Sequence, residues 1–202
     1  MSAVDRLRAA QLRADLGNVT IGREIVVLEK TTSTNDSVWR LAKDGAAEGV
    51  VVFAEHQTAG RGQRGNLWES AAQKGLWFSV LLRPKMDMED STRLTTWAAE
   101  AVVATLRNQF GLSAKIKLPN DIYVDDRKIA GVLVEMRAQK KAPHIGILGI
   151  GMNINQVARD FSEELRARVT SVAMLRGFPQ DRHLLAVELL RNLNRTYADL
   201  FQ

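Results

Sequence analysis

Residues Lys115 to Glu135 read KIKLPNDIYVDDRKIAGVLVE, and this run decides the fold class. A basic strand over 114–118 meets Pro119-Asn120-Asp121, residue types that favour a turn. A short strand, 122–124, follows and ends in the charged turn Asp125-Asp126-Arg127. A third strand, 128–136, carries Lys128 and Gly131, and a glycine inside a strand marks close approach by a ligand or another backbone. Working outward, further strands are predicted at 24–28, 50–54, 76–82 and 144–152. The last ends in Gly149-Ile150-Gly151-Met152-Asn153-Ile154-Asn155. Apolar residues at helical spacing predict a helix from Met1 to Gly17 through Val4, Leu7, Leu12 and Leu16. A second runs from Asp36 with Val38, Leu41 and Ala42 inward, and a long third from Leu94 through Trp97 and Leu106 to Gly111. Past an N-cap at Ser162 the chain reads as helical through Thr170-Ser171-Val172-Ala173. A final helix begins at Asp181 with Leu190, Leu193, Tyr197 and Leu200 on one stripe. Grouped strands flanked by helices predict an α+β fold, a mixed β-sheet with helices packed on one face.

At 202 residues the expectation is one domain, 1–202, with 1–23 as an N-terminal helical extension. Apolar residues make up 46% of the chain, enough for a sizeable core. The absence of cysteine excludes disulfides, thiolate catalysis and Cys-zinc sites. His56, His144 and His183 are scattered and have no metal-ligand spacing. With no long apolar run and no signal-peptide pattern, a cytoplasmic location without membrane association is expected. A formal net charge of +5 favours acidic partners, but nucleotides, acidic protein surfaces and nucleic acid satisfy it equally.

A second stretch carries chemistry: Glu55 to Trp68, EHQTAGRGQRGNLW. Its closely spaced glycines disfavour both helix and well-packed strand and leave backbone N–H groups open to an anion. Arg61 and Arg64 add guanidinium forks suited to phosphate or carboxylate. Gln57 offers a neutral amide before the turn, and Trp68 a flat apolar face after it. No Lys-Ser or Lys-Thr follows the glycines, which excludes a Walker loop, and no helix opens behind them, which excludes a Rossmann fingerprint. Upstream, Thr31-Thr32-Ser33-Thr34-Asn35-Asp36 holds more capping side chains than one helix start requires. The surplus is available to hydrogen-bond a small polar head group.

Taken in order, these four motifs, from Glu29 to Asn155, resemble the catalytic domain of the biotin protein ligases. The resemblance implies a fold shared with lipoate ligases and an enzyme that activates biotin with ATP and Mg²⁺ to biotinyl-5′-AMP. Biotin would then pass to a lysine of a biotin carboxyl carrier domain of a carboxylase. Ser33, Thr34 and Asn35 would meet the ureido ring, and Gln57, Arg61, Gly62, Gln63, Gly131, Gly149 and Gly151 would complete the biotin site. Lys128 would grip the biotin carboxylate and the charge developing at phosphorus. Arg64, Trp68, Lys117, Asn120 and Asn153 would bind ATP and the adenylate. Catalysis would fall to Lys128, Arg61, Asp121 and Lys117, with Asp121 holding Mg²⁺ or taking the proton of the acceptor amine.

The resemblance also brings departures. Family members commonly read Gly-Arg-Gly-Arg where Gln63 fills the fourth position here, which predicts weaker retention of the adenylate. Leu118 stands where a tryptophan is common. The 202 residues hold no sequence for the small C-terminal β-barrel usual in the family, and ATP affinity is expected to suffer. Residues ahead of the first strand are too few for a DNA-binding winged helix, so no DNA partner and no repressor role are expected. A homodimer is compatible with the reading. Two rivals are a lipoate or octanoyl ligase or transferase of the same fold and a non-catalytic biotin or nucleotide binder.

Overall fold

The structure is a computed structural model and describes residues 6–140 and 143–202. Helix α1 (Ala9–Leu16) precedes strand β1 (Glu24–Leu28), helix α2 (Thr34–Lys43) and strand β2 (Val50–Ala54). Strands β3 (Gly60–Arg61) and β4 (Leu67–Trp68) form a small antiparallel ribbon, and β5 (Gly75–Leu82) returns to the main sheet. Helix α3 (Thr92–Phe110) leads into β6 (Lys115–Lys117), β7 (Asp121–Val124), β8 (Arg127–Arg137) and β9 (Ile145–Asn153). Two short helices, α4 (Glu163–Arg166) and α5 (Val172–Arg176), and the long α6 (Arg182–Phe201) complete the order. The main sheet has seven strands in the order β1-β2-β5-β9-β8-β7-β6. Only β1 and β2 pair in parallel, so the sheet is mixed and the fold is α+β.

Strand periodicity divides the sheet between two apolar clusters. Val51, Phe53, Leu76, Phe78, Val80 and Leu82 point to the face covered by α1, α3 and α6. Val50, Val52 and Leu81 point to the other face, where they meet Val38 and Ala42 of α2. The expectation of helices on one face therefore holds for three helices and fails for α2. That helix covers only the part of its face around Leu81, Ile145 and Ile147, leaving the rest of the face open.

Other expectations need correction. The predicted first helix begins partly outside the described residues, with Val4 among them; its described part is Ala9–Leu16, with Leu12 and Leu16 buried. The Gln139-Lys140-Lys141 turn likewise falls partly outside the described residues. The chain after Ser162 is not one helical region. Helix α4 stops at Arg166, and residues 168–170 run beside Lys128 as a one-residue parallel bridge. The Arg168 carbonyl accepts from Lys128 N–H, and Thr170 N–H donates to the Lys128 carbonyl. Ser171 then caps α5 by accepting from Met174 N–H. On α6, Leu200 is exposed and Phe201 is buried in its place, packed edge-on against Trp97 and tilted against Tyr197. The stripe takes a step of four residues after Tyr197 rather than three.

One buried ion pair ties four segments together. Arg182, wholly buried at the start of α6, donates to Glu55 just past β2 at 2.8 Å and to the Gly75 carbonyl at the start of β5 at 3.1 Å. The other Glu55 oxygen accepts Leu7 N–H at 2.8 Å. Removing one member of such a pair strands a charge in the interior, at a cost of about 3–5 kcal/mol. Glu55→Ala is therefore expected to lower the unfolding free energy by that amount in denaturant titration, and Glu55→Leu with Arg182→Met to recover much of it.

Candidate active site

The open part of the α2 face is a trough whose rows follow from strand register. Trp77 of β5 lies opposite Gly151 of β9, Gly151 opposite Gly131 of β8, and Gly131 opposite Asp121 of β7. The next row runs Ser79, Gly149, Leu133. Glycines thus line the middle of two adjacent rows, and side chains lie where their Cβ atoms would be. A Cβ on Gly149 would sit 2.3 Å from Asn35 Oδ1, and one on Gly151 would sit 2.6 to 2.9 Å from the Trp68 indole. The close approach expected at these glycines is made by two side chains, one from the start of α2 and one from the ribbon.

The cavity above this trough, of about 310 Å³, collects sixteen of the seventeen residues singled out in the sequence. Ser33, Thr34, Asn35 and Gln57 lie at one end; Arg61, Gly62, Gln63, Arg64 and Trp68 come from the ribbon. Lys117, Asn120, Asp121, Lys128, Gly131, Gly149 and Gly151 come from the strands. The exception is Asn153. It is buried off the cavity, its amide donating to the Thr170 carbonyl and accepting from Gln156. Asn120 lines the cavity, with one N–H of its amide held by the Val132 carbonyl at 3.0 Å.

A chain of polar side chains crosses the floor. Gln57 Oε1 accepts from Thr34 N–H at 2.8 Å and lies 3.1 Å from Thr34 Oγ1. Thr34 Oγ1 is 2.7 Å from Ser79 Oγ, and Ser79 Oγ is 2.5 Å from Asn35 Oδ1. Three oxygen–oxygen contacts therefore share the two hydroxyl hydrogens of Thr34 and Ser79, and the chain is one hydrogen short. Asn35 Nδ2 points outward and donates to Glu135 Oε2 at 2.6 Å. Sequence reasoning missed Ser79 and Glu135. Ser79 is the one polar side chain in the strand GLWFSVLL, which is a readable signal. Glu135 shares a strand face with Gly131 and Leu133, by a count of two.

The Gly/Arg stretch is more ordered than its composition suggests. Gly60-Arg61 and Leu67-Trp68 pair, and a 3-10 turn over Gln63–Gly65 places Arg64 at φ 57°. Arg61 is not an open cation: it bonds Asp36 Oδ1 at 2.6 Å and Glu135 Oε2 at 3.1 Å. Burial acts to lower its pKa, but the hydrogen bonds to Asp36 and Glu135 outweigh this and the net shift is upward. Arg64 forms no ion pair among the described residues, and Lys117 sits 5.1 Å over the Tyr123 ring.

Lys128 reaches the trough because of a bulge. Tyr123 pairs with Lys128 but Ile122 pairs with Ala130, so Ile129 is an extra residue. An unbroken strand would send Lys128 and Gly131 to opposite faces; the bulge turns Lys128 onto the side of Gly131. Its ammonium lies 2.7 Å from Asp121 Oδ1 and 5.3 Å over the Trp68 ring. A metal held by the protein does not fit here. Among the described residues no group of three or more His, Asp or Glu side chains converges, and the Asp121 carboxylate faces an ammonium. The assignment of Mg²⁺ to Asp121 is not supported by this donor set.

A mixed sheet with a glycine trough, a polar chain at one end and cations at the other belongs to a known class. Over residues 27–153 the chain matches the Biotin/lipoate A/B protein ligase family, and it is a member of that family. It is 34% identical over 194 residues to the bifunctional ligase/repressor BirA of Bacillus subtilis, covering 96% of this chain and 60% of that protein. The chain thus spans about three fifths of that relative's length. It is 32% identical over 203 residues to the biotin–[acetyl-CoA-carboxylase] ligase of Mycobacterium tuberculosis, covering 96% of this chain and 73% of that protein. The biotin protein ligase of Aquifex aeolicus, solved in complex with biotin and ATP, superposes with a TM-score of 0.73 at 29% identity. That match covers 87% of this chain and 72% of the other.

The Trp68 shelf gives a direct test of the trough. Gly151→Ala forces the indole off the sheet, and crowding of this kind costs about 1–3 kcal/mol. The variant is expected to show a lowered melting temperature and a red-shifted tryptophan emission as Trp68 meets water. Unchanged emission would contradict the packing described.

Proposed function

We propose that this chain is an ATP-dependent biotin–protein ligase domain, with residues 1–202 acting as one catalytic unit. The single observation that carries this reading is the hydrogen-poor chain Gln57–Thr34–Ser79–Asn35. Such a floor accepts a head group that brings N–H donors, and a ureido ring offers two. A dithiolane head offers none, which sets the lipoate reading aside. The relatives named as biotin ligases support the same choice.

A carboxylate is a poor acyl donor because its leaving group would be oxide, and joining it to AMP supplies a better one. In the first step a biotin carboxylate oxygen attacks the α-phosphorus of ATP, and the bond to pyrophosphate breaks. ATP enters as its Mg²⁺ complex, the ion belonging to the substrate. Lys128 then exchanges Asp121 for the biotin carboxylate and the oxygens of the reacting phosphorus, a transition-state charge that a pre-placed ammonium stabilises. Arg64 and Lys117 neutralise phosphate, and Trp68 over the glycine trough keeps water from the mixed anhydride. Arg61 acts by closing the biotin end, bound to Asp36 and Glu135, rather than by gripping phosphate.

In the second step an acceptor lysine amine attacks the acyl carbon, an amide forms and AMP leaves. Asp121, released from Lys128, is placed to take the amine proton. The acceptor is the carrier domain of a biotin-dependent carboxylase, and the protein acts in the cytoplasm without binding DNA. Among the described residues no helix is long and apolar enough to cross a membrane.

Lys128→Ala is expected to reduce biotin-dependent pyrophosphate release by at least about 100-fold, the scale of a lost oxyanion-type contact of about 3 kcal/mol. Release at the parent rate would remove Lys128 from the chemistry, and no biotin-dependent release from the parent would sink the enzyme reading. Gln63→Arg is expected to slow dissociation of preformed biotinyl-adenylate several-fold, a net gain of about 1 kcal/mol after desolvation. An unchanged rate would mean that Arg64 or the loop amides already make that contact.

A further inference from the structure

We infer that Glu135 is a positioning residue that sets the hydrogen-bond polarity of the head-group site and with it the selectivity for N–H-bearing acids. The inference rests on the biotin-ligase reading and concerns a residue that does not itself line the cavity. Glu135 Oε2 accepts from Asn35 Nδ2 at 2.6 Å and from Arg61 at 3.1 Å. A carboxylate only accepts, so it can hold the nitrogen of the Asn35 amide and never its oxygen. The amide is thereby fixed with Oδ1 turned inward, 2.5 Å from Ser79 and above Gly149.

The inward oxygen is the origin of the missing hydrogen. If the amide turned over, Nδ2 would donate to Ser79, Ser79 to Thr34 and Thr34 to Gln57, and all three contacts would hold a hydrogen. The floor would then be satisfied by itself and would have lost its inward amide oxygen as an acceptor for a ligand N–H. Glu135 prevents this from outside the cavity. Its second bond, to Arg61, links the start of α2 to the ribbon, since Arg61 also holds Asp36. One carboxylate oxygen therefore fixes both the polarity of the floor and the strand that closes over it.

The test uses Glu135→Gln, which keeps the shape of the side chain but both accepts and donates, and so permits either orientation of Asn35. Binding of biotin and of lipoic acid, an acid without N–H donors, is measured by calorimetry and competition in the full chain without ATP. Loss of a well-placed neutral hydrogen bond is worth about tenfold in affinity. Biotin affinity is expected to fall about tenfold in Glu135→Gln while lipoic acid affinity changes by less than about twofold, so discrimination narrows. Glu135→Ala is expected to narrow it in the same direction. A residue needed only for folding or for closing the ribbon would weaken both acids alike. An equal loss for both, or no loss for biotin, therefore overturns the inference while leaving the ligase reading standing. A parent protein that fails to bind biotin overturns that reading and this inference together.

Discussion

The Glu55–Arg182 pair is the constraint on which the site depends. Gln57 and the Gly/Arg ribbon leave the sheet within two to five residues of Glu55, so the direction in which they leave is set at that carboxylate. Arg182 approaches from the far end of the sequence and also holds the start of β5, the strand that carries Trp77 and Ser79. An ion pair buried this deeply adds little net stability over an apolar pair of the same shape. What it supplies is a fixed meeting point: both carboxylate oxygens have defined partners, and a slip of β2 or α6 would leave one of them unpaired.

From that point outward, the site is made by omission as much as by side chains. Gly131, Gly149 and Gly151 hold no chemistry, but they let Trp68 and Asn35 lie where neighbouring strands would otherwise fill the space. Helix α2 covers part of the same face and stops, and its first residues stand at the edge of the trough. The bulge at Ile129 supplies the last element by putting a lysine on a face that simple alternation denies it. Its backbone groups are bonded in turn by residues 168–170, which explains why the segment after α4 returns to the sheet instead of continuing as helix.

Much of this was legible in the sequence, for identifiable reasons. Seven strands announced themselves through apolar runs and turn residues, and the hairpin turn at Asp125-Asp126, with φ of 48° and 59°, matches its composition. The motif residues came together in one cavity apart from Asn153, whose amide is consumed by the fold. What escaped depends on three-dimensional facts that no local pattern records. The placing of α2 opposite the other helices follows from which valines of β2 face which way, and every residue of that strand is apolar. Glu135 was not singled out because its two partners are distant in sequence, Asn35 by 100 residues and Arg61 by 74. Arg61 read as an anion hook because the carboxylates that occupy it lie 25 and 74 residues away in the chain.

The distribution of charge along the cavity has a kinetic consequence. Beside Asn35, one arginine stands against two carboxylates at the cavity's edge; on the strands, Lys117 and Lys128 stand against Asp121. The field along the trough thus has a direction, negative where the polar floor lies and positive where the strands end. A molecule with a neutral head and an anionic tail is turned into register as it enters, and the reversed encounter places its anion beside Asp36 and Glu135. Orientation is selected during approach, before any hydrogen bond to the floor has formed.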